Sequence, residues 1–465
     1  MVTPIIRTPR PGVLLKEQPL AAVILAAGQG TRMRSRTPKV LHPIAGRPMI
    51  DHVLAACEAA GVKRIAAVVS PSQPDVAAKI GGRAEVAYQD TPGGSGDALR
   101  QAPPEVLAAA AVLVVNADAP LLRPETIERL VDRHRRSKAA ATIAAVQDPE
   151  RRDGRILRGA DGAFERIVEY KDATAAQRRG GEVNVGVYVF RGGSDLLQAL
   201  AMLEPANAAG EFYLTDVFKT LRPVEVVEID DPDEGLGVND RIQLARAEKA
   251  MRRRILEDLM RSGVTVVDPG STFVDAGVRV GRDTVIEPFS FLRGETVVGE
   301  DCHIGPFADI RDSHLGDGCR VDRSWLDRAR MAEGSDCGPF ARLRPGTEIG
   351  IRVHVGSFAE IVRSKIGAGT AVPHMSYLGD ATVGERVNIG AGTITANYDG
   401  ERKHSTEIGD DAFVGVDTMF IAPRKMGRRS KTGAGAVVNK DIPEDSLAVG
   451  VPARALRRKT EERAS

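Results

Sequence analysis

The stretch VGERVNIGAGTI, residues 383–394, sets an aliphatic residue before a glycine at Val383-Gly384 and again at Ile389-Gly390, six positions on. The same pair recurs outward from it at multiples of about six residues: Val280-Gly281, Val298-Gly299, Ile304-Gly305, Leu315-Gly316, Ile349-Gly350, Val355-Gly356, Ile366-Gly367, Ile408-Gly409 and Val414-Gly415. That period belongs to a hexapeptide β-helix, in which each aliphatic points inward onto the next coil and the small residue after it permits a tight corner. Such a solenoid hides its core only by stacking and capping. Residues 263–465 therefore read as a left-handed parallel β-helix of hexapeptide repeats with a C-terminal tail. Cys302, Cys319 and Cys337, spaced by 17 and 18 residues, are close to one coil apart and read as stacked structural side chains rather than metal ligands.

Upstream the pattern changes twice. In the segment to Ser262, Leu244, Ala247, Met251, Ile255 and Leu259 share one face and Gly263 offers a C-terminal cap, so residues 242–262 read as a linker helix. Before it, short β-branched runs at Ala22–Leu25, Ile65–Val69, Ala111–Val115 and Val183–Phe190 alternate with amphipathic stretches at Met49–Ala60 and Glu125–Ser137. Strand and helix alternating at that spacing predict an α/β, Rossmann-like domain on a mostly parallel sheet over residues 20–241, with ligands bound beyond the carboxyl ends of the strands. Residues 1–19, with Pro4, Pro9, Pro11 and Pro19 and no periodicity, read as a disordered tail.

Composition narrows the function. In 465 residues, 64 Lys and Arg against 63 Asp and Glu leave a net charge of +1, so no global field draws the chain to nucleic acid or an anionic membrane. Aromatics at 4% are too few for a base-stacking surface, and no apolar run is long enough to span a bilayer. Lys16 before the apolar run Leu20–Ala27 could pass for a signal peptide, but that run is better explained as a buried strand. Four cysteines without a CxxC pair argue against a disulfide framework or thiolate zinc site, leaving the cytoplasm as the default. Of the 48 glycines, 27 lie in residues 263–465, where corners demand them.

The strand from Ala22 runs into LAAGQGTRM, residues 25–33, followed by TPKVLH, residues 37–42. A glycine-rich turn lets backbone N–H groups approach phosphate oxygens, and Arg32 and Lys39 add mobile positive charge. Gly28-Gln29-Gly30 lacks the third glycine of a dinucleotide fold, and there is no Gly-Lys-Ser/Thr. The order Gly, Gly, Thr, Arg, Met, Pro, Lys resembles the sugar-phosphate nucleotidyltransferases. That resemblance implies nucleotide binding by Leu25, Ala26, Ala27, Gly28 and Lys39, and base reading by Gln89, Gly94 and Ser95, the last two in Gly94-Ser95-Gly96. It implies sugar contacts at Gly154, Glu169 and Asn184, and Mg2+ held by Asp118 and Asn239. A carboxylate at a strand's carboxyl end suits a hard cation, although a strand-end Asp is as a rule a turn residue, and Asn239, before a helix, is also a good N-cap. The implied reaction is attack by a sugar 1-phosphate on the α-phosphate of UTP, with Arg32 and Lys39 stabilising the developing charge.

Beyond residue 262 the only tyrosines are Tyr377 and Tyr398, in PHMSYLGD (373–380), where the hexads break, and in VNIGAGTITANYDG (387–400), after which they break again. With the nucleotidyltransferase motifs in front, these segments resemble the bacterial bifunctional GlmU family over roughly residues 20–455. That resemblance implies His374 as the base that deprotonates an amine attacking a thioester. It further implies sugar contacts at Arg344, Tyr377, Asn388, Asn397 and Tyr398, acetyl-CoA along Ala391 and Ala434, a supporting Glu360, and a homotrimer. The substrates so implied are acetyl-CoA, glucosamine 1-phosphate, UTP and N-acetylglucosamine 1-phosphate, for cell-wall precursors. The chain departs from that pattern at Val362, usually lysine, at Val416, usually serine, at Asp97, usually histidine, and at Asn116-Ala117. Strand alternation points Arg363 away from Val362, and Lys365 is the remaining nearby cation. Two rival readings are a monofunctional sugar-1-phosphate nucleotidyltransferase with a purely oligomerising β-helix, against which PHMSYLGD and TANYDG argue, and a non-catalytic regulatory subunit, against which Gly28, Gly30, Arg32, Lys39 and Asp118 argue.

Overall fold

The computed structural model describes residues 20–205 and 210–457. The expected tail, residues 1–19, and the end of the C-terminal tail lie outside the described residues. The chain divides into two compact units, residues 1–251 and 252–465.

In the first unit the strand Leu20–Leu25 has no polar residue and is covered on both faces, as a central parallel strand requires. It pairs in parallel with Arg64–Val69 on one side and Ala111–Asn116 on the other, Ala22 lying opposite Ile65 and Leu113. The main path of the sheet runs Val224–Glu228, Ala141–Gln147, Glu182–Phe190, Ala111–Asn116, Leu20–Leu25, Arg64–Val69, Glu85–Tyr88. On this path one strand differs from the parallel pattern. Glu182–Phe190 runs antiparallel to both neighbours, with Tyr188 opposite Val114 and Val183 opposite Val146. Helix Pro124–Ser137 buries Ile127, Leu130, Val131 and His134, one helical face, and begins with proline where no N–H is needed.

In the second unit successive strands visit three sheets in turn, of 12, 10 and 9 strands, and pair in parallel with their counterparts one coil on, until Arg454–Arg457 closes the end antiparallel to Ser446–Val449. Ile286, Ile304, Val321, Cys337, Val355, Val372, Ile389 and Val414 are buried in the core. Buried hydroxyls satisfy the corners: Ser364 Oγ donates to Val362 O at 2.9 Å and accepts from Ala381 N at 2.9 Å.

Three sequence expectations change here. Cys302 and Cys319 are counterparts in successive coils, but Cys337 lies opposite Val321 and fills the aliphatic column instead, because the intervening coil is one residue shorter. PHMSYLGD does not break the solenoid, since Glu360 lies opposite Tyr377 and Val362 opposite Gly379, 17 residues apart, as in a regular coil. The true excursion is 397–405, after which Asn388 lies opposite Phe413, 25 residues on.

Helix Arg241–Arg261 is capped by Asp240, whose Oδ1 accepts from Gln243 N at 2.8 Å, so Asn239 is not the N-cap. Gly263, at φ +99°, ends the helix with its N–H on Met260 O at 3.1 Å. No helix among the described residues is long and apolar enough to cross a membrane.

Candidate active sites

The strands Leu20–Leu25 and Ala111–Asn116 lie side by side at the point where the sheet's strand order reverses, and their carboxyl ends open a cavity of about 660 Å3. Leu25, Ala26, Ala27, Gly28, Arg32, Lys39, Gln89, Gly94, Ser95, Asp118, Gly154, Glu169, Asn184 and Asn239 all line it. The sequence had singled out every one of these, from segments spread over more than 200 residues.

The turn after Leu25 is shaped by Gly30, at φ +62°, where a Cβ would stand 2.5 Å from Lys39 Cβ. That close approach holds the Lys39 stem against the turn. Its ammonium pairs with Asp118 and donates to Asn239 Oδ1 at 3.1 Å. Two oxygen donors far apart in the sequence thus converge on one positive charge. A carboxylate and an amide oxygen also fit a hard divalent cation, which takes few protein ligands and fills its remaining positions with phosphate and water. No group of three or more His, Cys, Asp or Glu placed to hold a metal exists among the described residues.

In the loop expected to read the base, Gly94 is at φ +97°, and a Cβ there would stand 2.8 Å from Phe212 O, so only glycine fits. Gln89 is buried with its carboxamide nitrogen on Gly94 O and Asp97 Oδ2. On another wall of the cavity Asn184 N donates to Gly154 O at 2.9 Å and Asn184 Nδ2 to Tyr188 OH at 2.8 Å. Burial raises the Glu169 carboxyl above its ordinary range, opposed by the Thr215 hydroxyl, which donates to it at 3.3 Å. Beneath this wall, the fully buried Arg155 donates to the carbonyls of Pro149, Arg151 and Arg178 and fixes the loop that presents Gly154.

In the second unit one corner of the solenoid carries a column across five coils. Ser357 lies opposite His374. Beyond it, Met375 N donates to Ser357 O, Asp417 N to Ala391 O and Gly435 N to Val416 O, which sets His374, Ala391, Val416 and Ala434 on one edge. Adjacent strands are about 4.8 Å apart, so His374 and Ala434 span roughly 14 Å. On the adjoining face a Cβ at Gly379 would meet Asn397 Nδ2 at 2.6 Å and Tyr377 OH at 2.8 Å, so these two polar groups converge over a glycine that leaves room for them. Arg344 Nη1 donates to Glu360 Oε1 at 2.9 Å. Asn388 sits apart beside Ala371, and Tyr398, on the excursion, turns its hydroxyl back to Gly400 O.

A family model for the MobA-like NTP transferase domain matches residues 22–234. The protein named Bifunctional protein GlmU in Brevibacillus brevis is 44% identical over 434 residues, covering 92% of this chain and 94% of the relative. Proteins of the same name in Carboxydothermus hydrogenoformans, at 44% over 92% of this chain and 97% of the relative, and Listeria welshimeri, at 42% over 92% and 95%, match as fully. The chain belongs to the bifunctional GlmU family. It is an enzyme with both uridyltransferase and acetyltransferase activities, and since the match runs through both units the reading with an inert β-helix is not favoured. Membership is consistent with a divalent metal and with nucleotide and sugar-phosphate substrates.

The departures from the GlmU pattern have structural consequences. Val362 is buried opposite Gly379. Arg363 does not replace a lysine there, because it stands at a corner, at φ +46°, with Nε and Nη2 on Asp380 at 2.6 and 2.8 Å. Lys365 is held on another sheet by Glu348 at 3.2 Å. Asn116 fits because Gly186 gives way to it: a Cβ at Gly186 would stand 2.5 Å from Asn116 Nδ2. Sequence reasoning missed Tyr188, Thr215 and Arg155. The glycine of VNVG was the one signal for the crowding at Asn116. Also missed was Asp399, which organises the excursion by accepting from Arg402 N, His404 Nε2 and Glu401 N. These bonds hold its carboxyl well below the usual range.

Proposed function

We propose that residues 20–241 transfer the uridylyl group of UTP to N-acetylglucosamine 1-phosphate, that residues 263–465 acetylate glucosamine 1-phosphate from acetyl-CoA, and that helix 242–262 joins the two. The observation that carries the first half is the convergence of fourteen residues, chosen for nucleotide, base, sugar and metal contacts, on one cavity. The sugar phosphate oxygen attacks the α-phosphorus, the bond to the bridging oxygen breaks, and pyrophosphate leaves in line. Lys39 and Arg32 neutralise charge on the phosphates, the Gly28–Gly30 turn offers backbone N–H groups, and Gln89 and Gly94 hold uracil. Gly154, Asn184 and Glu169 hold the sugar, with Glu169 accepting from a sugar hydroxyl. Asp118 and Asn239 would hold Mg2+, which supplies further charge neutralisation when bound.

In the second half His374 removes a proton from the sugar amine as its nitrogen attacks the thioester carbonyl, and the coenzyme leaves as a thiol. Arg344 faces the sugar phosphate, while Tyr377 and Asn397, which converge over Gly379, position the amine. The edge from Ala391 to Ala434 suits the extended arm of the coenzyme. A homotrimer is supported by an exposed aromatic stripe on the solenoid, where Phe289 stacks on Phe307 at 5.0 Å and Phe340 on Phe358 at 5.4 Å. Four buried free cysteines suit the cytoplasm. The test of the first half is pyrophosphate release from UTP and N-acetylglucosamine 1-phosphate, abolished by chelation. Release unaffected by a chelator counts against the metal, and no release counts against the site.

A further inference from the structure

Behind the base loop lies a carboxylate to which the proposed reaction gives no role. The Gln89 side chain is buried, and its Nε2 donates both to Gly94 O at 3.2 Å and to Asp97 Oδ2 at 2.6 Å. Both partners are acceptors only, a carbonyl and a carboxylate. The two hydrogens of Nε2 are thereby used, the amide has one orientation of two, and only Oε1 is left to meet a ligand. Asp97 does not line the cavity itself. It acts through Gln89, and its Oδ2 lies 2.6 Å from where a Cβ on Gly93 would stand, so a glycine at 93 is what admits it.

We infer that Asp97 is a specificity-determining positioning residue: by fixing the Gln89 carboxamide with its oxygen free, it makes the site select a pyrimidine with a ring N–H and reject one with a ring lone pair. Uracil offers a donor at N3 and cytosine an acceptor. With Asp97 in place, cytosine would set acceptor against acceptor, and the amide cannot turn to relieve this without facing its oxygen to the carboxylate. Without Asp97 only the longer bond to Gly94 O opposes the turn.

The inference rests on the proposal that Gln89 reads the base, and the test separates the two. The full-length chain is assayed for uridylyl transfer with UTP and with CTP, and selectivity is the ratio of kcat/KM values. Asp97→Ala lowers the ratio about tenfold, the worth of one aligned hydrogen bond. Asp97→Asn, which keeps an acceptor oxygen, restores most of it. Gln89→Ala lowers the ratio at least as far, and the double variant falls no further than Gln89→Ala alone. A circular dichroism spectrum and a thermal transition like the parent's report that each variant is folded, and Asp97→Leu, of closer volume, carries the same prediction should the alanine variant fail that control. An unchanged ratio in Gln89→Ala overturns base reading by Gln89. A lowered ratio there with an unchanged one in Asp97→Ala or Asp97→Leu overturns the role of Asp97, as does an equal loss of rate with both nucleotides.

Discussion

Lys39→Met keeps most of the length and apolar bulk of the side chain and removes only the ammonium. That ammonium pairs with Asp118 and donates to Asn239 Oδ1 at 3.1 Å, and the side chains of the ion pair are only 12% and 14% exposed. Losing it leaves a part-buried carboxylate without its cation, a cost of about 1–3 kcal/mol. That is a fraction of the roughly 5–15 kcal/mol that holds a domain together, so the variant stays folded. The catalytic loss is larger. A preorganised positive group facing charge that develops on transferring phosphoryl oxygens is worth about 100- to 1000-fold in kcat, or roughly 3–4 kcal/mol of barrier. The same contact with the ground-state triphosphate is weaker, so kcat falls by more than KM for UTP rises. The assay is pyrophosphate release from UTP and N-acetylglucosamine 1-phosphate, with thiol release from acetyl-CoA by the same preparation as internal control. A kcat close to the parent's in a folded variant would refute the reasoning.

Three further outcomes follow from the geometry. His374→Ala lowers thiol release by about 100- to 10,000-fold, the range of a lost general base, and leaves pyrophosphate release alone; retention of thiol release would remove His374 from the mechanism. Val362→Lys adds a cation opposite Gly379 on the strand after that of Arg344, and lowers KM for glucosamine 1-phosphate several-fold; an unchanged KM would place the sugar phosphate elsewhere. His134 is held down to about 4 by burial first and then by Arg191 and Arg135. An unfolded imidazole titrates near 6.5, so the unfolded state takes up the proton first. Stability is full above about pH 6.5 and falls, by about 3 kcal/mol at most, as pH drops toward 4. Thermal unfolding between pH 7 and 4.5 should show this decline, and His134→Gln, which keeps a partner for the Thr142 hydroxyl, 3.0 Å from His134 Nδ1, and has no charge to gain, should flatten it. Equal slopes would show that other groups set the decline.

Both folds were legible because their periods are unlike anything else: aliphatic-glycine hexads for the solenoid, and buried apolar runs between amphipathic helices for the α/β unit. Strand direction was not. Glu182–Phe190 alternates a valine face with one of Glu182, Asn184, Gly186 and Tyr188 whichever way it runs, and its antiparallel pairing with Ala111–Asn116 is set by the connection, not by its residues. The extent of the excursion was misjudged because His374, Met375 and Tyr377 interrupt the aliphatic composition of PHMSYLGD, while its Leu378-Gly379 pair and its 17-residue spacing keep the coil regular. Fourteen of the residues that line the cavity could be singled out in the sequence because most of them stand in loops whose glycines and charges have no packing purpose. Tyr188 and Arg155 escaped because a buried tyrosine and a buried arginine in strands look like ordinary strand residues until their partners in distant loops are known. Asp97 was visible only as an oddity, since its role depends on Gln89 being turned toward it.

The most direct measurement gives the purified chain glucosamine 1-phosphate, acetyl-CoA, UTP and Mg2+ together and follows thiol, pyrophosphate and UDP-N-acetylglucosamine over one time course. One chain carrying both proposed reactions yields the three in equal amounts, with thiol appearing before pyrophosphate. UDP-N-acetylglucosamine formed only when N-acetylglucosamine 1-phosphate is supplied, with no thiol released from acetyl-CoA, would contradict it.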